Sequence, residues 1–127
     1  MQNKEKFEYA IIRLVPRVER EEFFNIGVIL FCKRKKFLKL KVHVDPAKIK
    51  CFNSPVDCQK VEAHLNAWQK ICDGASSGGR IGEMDITDRF RWLAASRSSI
   101  LQTSMMHSGL TANPEETLQL LFEESVL

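Results

Sequence analysis

Arg13-Leu14-Val15-Pro16, followed after a charged link by Glu21-Glu22-Phe23-Phe24-Asn25-Ile26-Gly27-Val28-Ile29-Leu30, is the stretch that decides the fold. It sets an arginine, a proline, an asparagine and a glycine at the ends of two apolar, strand-like runs. Phe7 to Val15 alternates, with Tyr9, Ile11, Arg13 and Val15 on one face and Ala10, Ile12 and Leu14 on the other. Proline has no N–H to give to a ladder, so Pro16 is expected to end this first strand. Arg17 to Glu22 reads as a loop or one short turn. Asn25 to Lys33 reads as a second strand, apolar on both faces and therefore central.

Phe37 to Val44 reads as a third strand, joined to the second by the polar hairpin Lys33-Arg34-Lys35-Lys36. Leu38, Leu40, Val42 and Val44 should face the core, and Phe37, Lys39, Lys41 and His43 should face solvent. Ser54-Pro55-Val56-Asp57 is a helix start, and Cys58, Val61, Leu65, Trp68 and Cys72 form one helical stripe that Gly74 ends. Ala75 to Gly79 reads as a flexible loop. Asp85 caps a short helix bearing Ile86, Phe90 and Leu93. Ser99 to Met106 alternates as a fourth strand, and Asn113-Pro114-Glu115-Glu116 starts a terminal helix bound by Leu118, Leu121, Phe122 and Val126. The expectation is a single α+β domain over residues 1–127. It has a mainly antiparallel sheet of about four strands, with two to three helices packed on one face.

A chain of 127 residues buries roughly 65–70% of its unfolded surface, enough for a core without staples. The absence of a long apolar run or a leader-like N-terminus predicts a cytoplasmic protein without a membrane contact. Cys32 and Cys72 fall on apolar faces and read as small core hydrophobes. His43, Cys51, Cys58, His64 and Cys72 are too evenly spread to form the close ligand pairs of a zinc module, so no metal and no cofactor is expected. Charge is uneven. Eight bases lie between Lys33 and Lys50 against Asp45 alone, whereas the last fifteen residues hold four glutamates and no base.

Arg13-Leu14-Val15-Pro16, Glu22 to Val28, Phe90-Arg91-Trp92-Leu93, Arg97 to Ser104 and His107-Ser108-Gly109-Leu110-Thr111 with Pro114-Glu115 resemble, in the same order, the bacterial domain of unknown function numbered three thousand and thirty-seven. That family has no established activity. Its genes often neighbour those of HipA-like kinases, so the resemblance implies a small accessory protein with a protein partner.

Three surfaces carry candidate chemistry. Arg13 lies mid-strand, where a charge is costly unless paired, and it reads either as half of a pair with Glu19, Glu21 or Glu22 or as a fork for an anion. Asn25 and Gly27 read as turn chemistry, with Gly27 leaving room for a bulge or for a neighbour such as Trp92. Arg97 and Ser98, with Gln102 and Ser104 projecting from one strand face, form a candidate anion or partner contact. His107, expected in a Ser-Gly turn beyond the strand, is a weak candidate general base. Lys33, Lys35, Lys39 and Lys41 are candidate nucleic-acid contacts, with Phe37 and Phe52 available to stack on bases.

The first functional reading is a non-enzymatic interaction module contacting its partner through Arg13, the Arg17 to Phe24 loop and the Arg97 to His107 segment. The second is a phosphoester- or nucleotide-handling enzyme using Arg13, Arg97 and His107. Nucleic-acid binding by the 33–50 hairpin is the third. Whether the protein is an enzyme stays open, as does pairing of two copies through the exposed hairpin edge.

Overall fold

The computed structural model describes residues 3–17, 22–45, 47, 58–74, 78–95 and 101–127. Its elements are β1 (Glu5–Arg17), β2 (Glu22–Cys32), β3 (Phe37–Val42), α1 (Cys58–Asp73), α2 (Gly79–Gly82), α3 (Ile86–Ala95), β4 (Leu101–Thr103), β5 (His107–Thr111) and α4 (Pro114–Ser125). The strands form one antiparallel sheet in the order β3-β2-β1, with β4 and β5 end to end along the far edge of β1. This is the α+β architecture expected. Among the described residues, no helix is long and apolar enough to cross a membrane.

Period-two alternation divides the core into two layers. Ala10, Ile12 and Leu14 of β1, with Ile29 and Phe31 of β2, pack against Val61, Leu65 and Trp68 of α1 and Phe90 and Leu93 of α3. On the opposite face Phe7, Ile11, Val28, Leu30 and Cys32 pack against Leu118, Phe122 and Val126 of α4. Ile81 of α2 joins the first layer, so three helices share one face, while the terminal helix covers the other instead of joining them as expected. A strand apolar on both faces, as β2 is, needs a cover on each.

β1 does not stop at Pro16. It continues to Arg17 through a register shift between Leu14 and Arg17 against β2, and an irregular position in the ladder spares a proline the N–H it lacks. β3 faces as expected on one side, where Leu40 is buried and Leu38 and Val42 join the α1 layer, and the strand ends at Val42 with Val44 packing on that layer just beyond it. Its other side is exposed at Lys39, Lys41 and His43, as expected, but α4 lies along it. Phe37 packs into the α4 layer, Lys39 bridges to Glu115, and Lys41 bonds Gln119 and lies over the Phe122 ring.

The expected fourth strand is an edge strand in two pieces. Ile12 to Leu14 pair with Thr103 to Leu101, and Glu5 to Tyr9 pair with Thr111 to His107. Between them Ser104 to Met106 bulge out. Ser104 N–H donates to the Ile11 carbonyl at 2.8 Å, and its hydroxyl accepts the Ile11 N–H at 2.8 Å. One side chain thereby replaces the missing ladder rung.

The helix ends follow their sequence signals. Asp85 accepts from Thr87 N–H at 3.3 Å, and Asn113 accepts from Glu116 N–H at 3.2 Å. Gly74 ends α1 with φ +73. Arg89 then donates to the carbonyls of Ile71 (2.9 Å) and Cys72 (2.8 Å), tying α3 to the end of α1. Cys32 and Cys72 are both free and buried. The helix start at Ser54 to Asp57, residues Ala75 to Ser77 of the expected Ala75 to Gly79 loop, Cys51 and Phe52 lie outside the described residues, and Gly79, at the end of that loop, opens α2 instead.

Candidate functional site

Arg13, Asn25 and Gln102 form one row across the sheet. Arg13 on β1 pairs with Asn25 of β2 on one side and with Gln102 of β4 on the other. Directly opposed residues share a face, so all three side chains leave the sheet on the side that α4 covers. The row depends on a bulge. From Glu8 to Ile12 the register runs without a break, and continued one step further it would set Ile26 opposite Arg13. The shift between Ile12 and Arg13 leaves Ile26 as the extra residue and brings Asn25 into the pair. Ile26 then joins the α1 layer, and the bulge keeps it off the polar row.

Each member of the row is held differently. The Arg13 guanidinium lies over the Phe23 ring, 4.3 Å from its centroid. Its Nε is buried and has no hydrogen-bond partner. Asn25 donates from Nδ2 to the Ser125 carbonyl of α4 at 3.1 Å, which fixes the amide orientation. Its Oδ1 is left buried without a donor. Gln102 is half-buried at the sheet edge. The row therefore presents one unmet donor and one unmet acceptor on paired residues. Buried polar atoms in that condition are uncommon in folded proteins.

Phe23 is the contributor that the sequence reading missed as a side chain. It is 47% exposed, two residues from Asn25 and so on the same strand face. That spacing was the available signal. Met105 and Met106, 82% and 50% exposed, project from the neighbouring edge bulge.

The other candidates sit elsewhere. His107 is not in a turn. It opens β5, pairs with Tyr9 and stacks on the Tyr9 ring at 5.2 Å between centroids. Tyr9 and Arg13 are four residues apart on β1, so His107 and the arginine row are separated by about 13 Å along the strand. Ser104 does not project beside Gln102, because its hydroxyl is turned into the β1 backbone. Gly27 makes room for β3, since Val42 and the Lys41 carbonyl are its close neighbours rather than Trp92. Lys33 and Lys35 are exposed in the hairpin, whereas Lys39 and Lys41 are engaged by α4. Arg97 and Ser98 lie outside the described residues, as do Glu19 and Glu21. Among the described residues, no group of three or more histidine, cysteine or acidic side chains is placed to hold a metal ion.

Residues 9–126 match a family model described as a protein of unknown function, DUF3037. The chain belongs to that family. No curated protein and no solved structure matches it. The DUF3037 match takes in the polar row from end to end, together with both faces of the sheet and the terminal helix that holds Asn25.

Proposed function

We propose that this DUF3037 protein is a non-enzymatic interaction module that takes an acidic, extended segment of a partner protein onto the Arg13 row. The observation that carries the reading is the pair of unmet buried atoms, Arg13 Nε and Asn25 Oδ1, on directly opposed residues. A peptide supplies an acceptor and a donor in every residue, which is the complement of that pair. The dianion of a phosphate monoester supplies acceptors only and leaves Asn25 unmet. A carboxylate on the same segment suits the guanidinium fork, and the exposed Phe23 ring beside Arg13 offers an apolar rim.

An enzyme built on Arg13 and His107 finds less support, because the two lie at different stations along β1. Nucleic-acid binding through the hairpin is weakened in turn, since two of its four lysines hold α4. A HipA-like kinase is the first partner to try. The test is reconstitution of the complex from purified components, followed by titration of variants that still melt cooperatively. Phe23→Ala and Gln102→Ala should each weaken binding about tenfold, and Arg13→Glu should abolish it, as expected for central contacts. A reconstituted complex indifferent to all three substitutions would overturn the reading.

A further inference from the structure

On the opposite face of the sheet from the Arg13 row, a cleft of about 420 Å³ opens between α3 and the β2–β3 hairpin. Its walls follow from strand parity. Lys6 and Glu8 of β1 project on the α3 face, beside Phe31 of β2 and Lys33 just beyond it, and Arg34 follows in the turn. Thr87 and Arg91, four residues apart on α3, project from one helix side across the gap. Met106 from the edge bulge closes the third wall. The stacked rings of Phe31 and Phe90, 4.9 Å between centroids, form the floor.

The charge in this cleft is one-sided. Lys6, Lys33, Arg34 and Arg91 line it against Glu8 alone. Among the described residues, the ion pairing of these four bases is a loose 4.0 Å contact from Arg34 to Glu5, and that arginine side chain is 80% exposed. Like charges gathered around one concavity repel one another, so the arrangement gains most from a ligand that carries several negative charges. The Oγ1 of Thr87 is buried at the same wall without a hydrogen-bond partner, and one rotamer step turns a threonine hydroxyl to another direction. The start of α3 does not itself supply the anion site, because Asp85 already accepts from the Thr87 N–H. The volume falls in the range of pockets that hold small ligands.

We infer that this cleft binds a small organic phosphate of two or more charges, of the nucleoside diphosphate class. Its phosphates lie among Lys33, Arg34, Arg91 and Lys6, and its organic half lies against Met106 and the ring edges of the floor. The site shares no residue with the Arg13 row, so either can stand without the other.

The experiment is calorimetric titration of the full chain with ADP, inorganic pyrophosphate and adenosine, at low and at high salt. ADP should bind, more weakly as salt rises, and Arg91→Ala and Lys33→Ala should each cost about tenfold or more in affinity, as loss of a charge-assisted contact does. Thr87→Val should weaken binding by less, and Lys60→Ala, on the outer surface of α1, should leave it unchanged. Thermal melts of each variant check that the fold persists. No saturable binding of ADP or pyrophosphate up to about 10 mM, weaker than any affinity a built site would give, would overturn the proposal. So would ADP binding indifferent to both Arg91→Ala and Lys33→Ala. Pyrophosphate binding as tightly as ADP would overturn the assignment of the organic half.

Discussion

A methyl group added at Gly27 would lie 2.6 Å from Val42 Cγ1 and 2.7 Å from the Lys41 carbonyl oxygen. The second of these is backbone, which cannot step aside without breaking the β2–β3 ladder. Gly27→Ala should therefore destabilise the protein by roughly 1–3 kcal/mol, the usual cost of overpacking. Denaturant melts give the answer, and an unchanged midpoint would mean that β3 moves freely. Cys72 makes a prediction of another kind. Burial in the α1 layer, reinforced by the charge of Asp73 and opposed by that of Arg89, pushes its thiol up from 9.0 to about 12. In that window the folded chain keeps a proton that the unfolded chain loses. The contribution is therefore whole below about pH 9 and is lost progressively as pH rises towards 12, by at most about 1.4 kcal/mol per pH unit. Wild type should lose stability more steeply than Cys72→Ala between pH 9 and 10.5. Parallel profiles would remove the buried thiol from the account.

At the scale of elements, the edge strand is where local pattern and tertiary structure part. Alternation from Leu101 onward is real, but its period runs through Ser104 to Met106, where the chain leaves the ladder. No glycine or proline marks the break, because a serine hydroxyl fills the missing rung. Ser104→Ala should cost roughly 1–3 kcal/mol by leaving the buried Ile11 N–H without an acceptor. Hydrogen exchange at the Ile11 amide should quicken by a matching factor, and protection equal to wild type would show that another acceptor replaces the hydroxyl. The same physics hid β5. His107-Ser108-Gly109 reads as a turn, yet Gly109 sits opposite Phe7, whose ring lies where a Cβ would be. A strand can carry glycine when a cross-strand aromatic covers it, and nothing in local composition reports that cover. The candidate site was legible in a similar, partial way. Arg13, Asn25 and Gln102 stand out individually as polar residues on apolar strands. Their union in one row depends on a one-residue bulge at Ile26, which only the register reveals.

Over the whole molecule, the uneven charge of the sequence is partly answered within the fold. The basic β3 and the acidic terminal segment meet where Lys39 bridges Glu115 at 3.1 Å. Both side chains of that pair are largely exposed, and such pairs contribute roughly 0–1 kcal/mol. The burial beneath them is a larger quantity. Leu118, Phe122 and Val126 cover the face of β1 and β2 formed by Phe7, Ile11, Val28 and Leu30. If apolar burial docks α4 and charge only orients it, Phe122→Ala should cost about 3–5 kcal/mol and Lys39→Ala less than about 1 kcal/mol. High salt should leave the first penalty intact and shrink the second. The consequence reaches the Arg13 row, because Asn25 is anchored to the Ser125 carbonyl at the far end of the same helix. If the row takes a partner as proposed, loosening α4 by Phe122→Ala should therefore weaken that binding together with stability, whereas Phe23→Ala, at an exposed ring, should weaken binding alone. Comparing the two variants by melting and by titration separates a residue that holds the surface in place from one that the partner touches. If Phe122→Ala lowered the melting temperature and left partner affinity untouched, the row would be rigid without its helix, and the sheet bulge alone would set the geometry of Asn25.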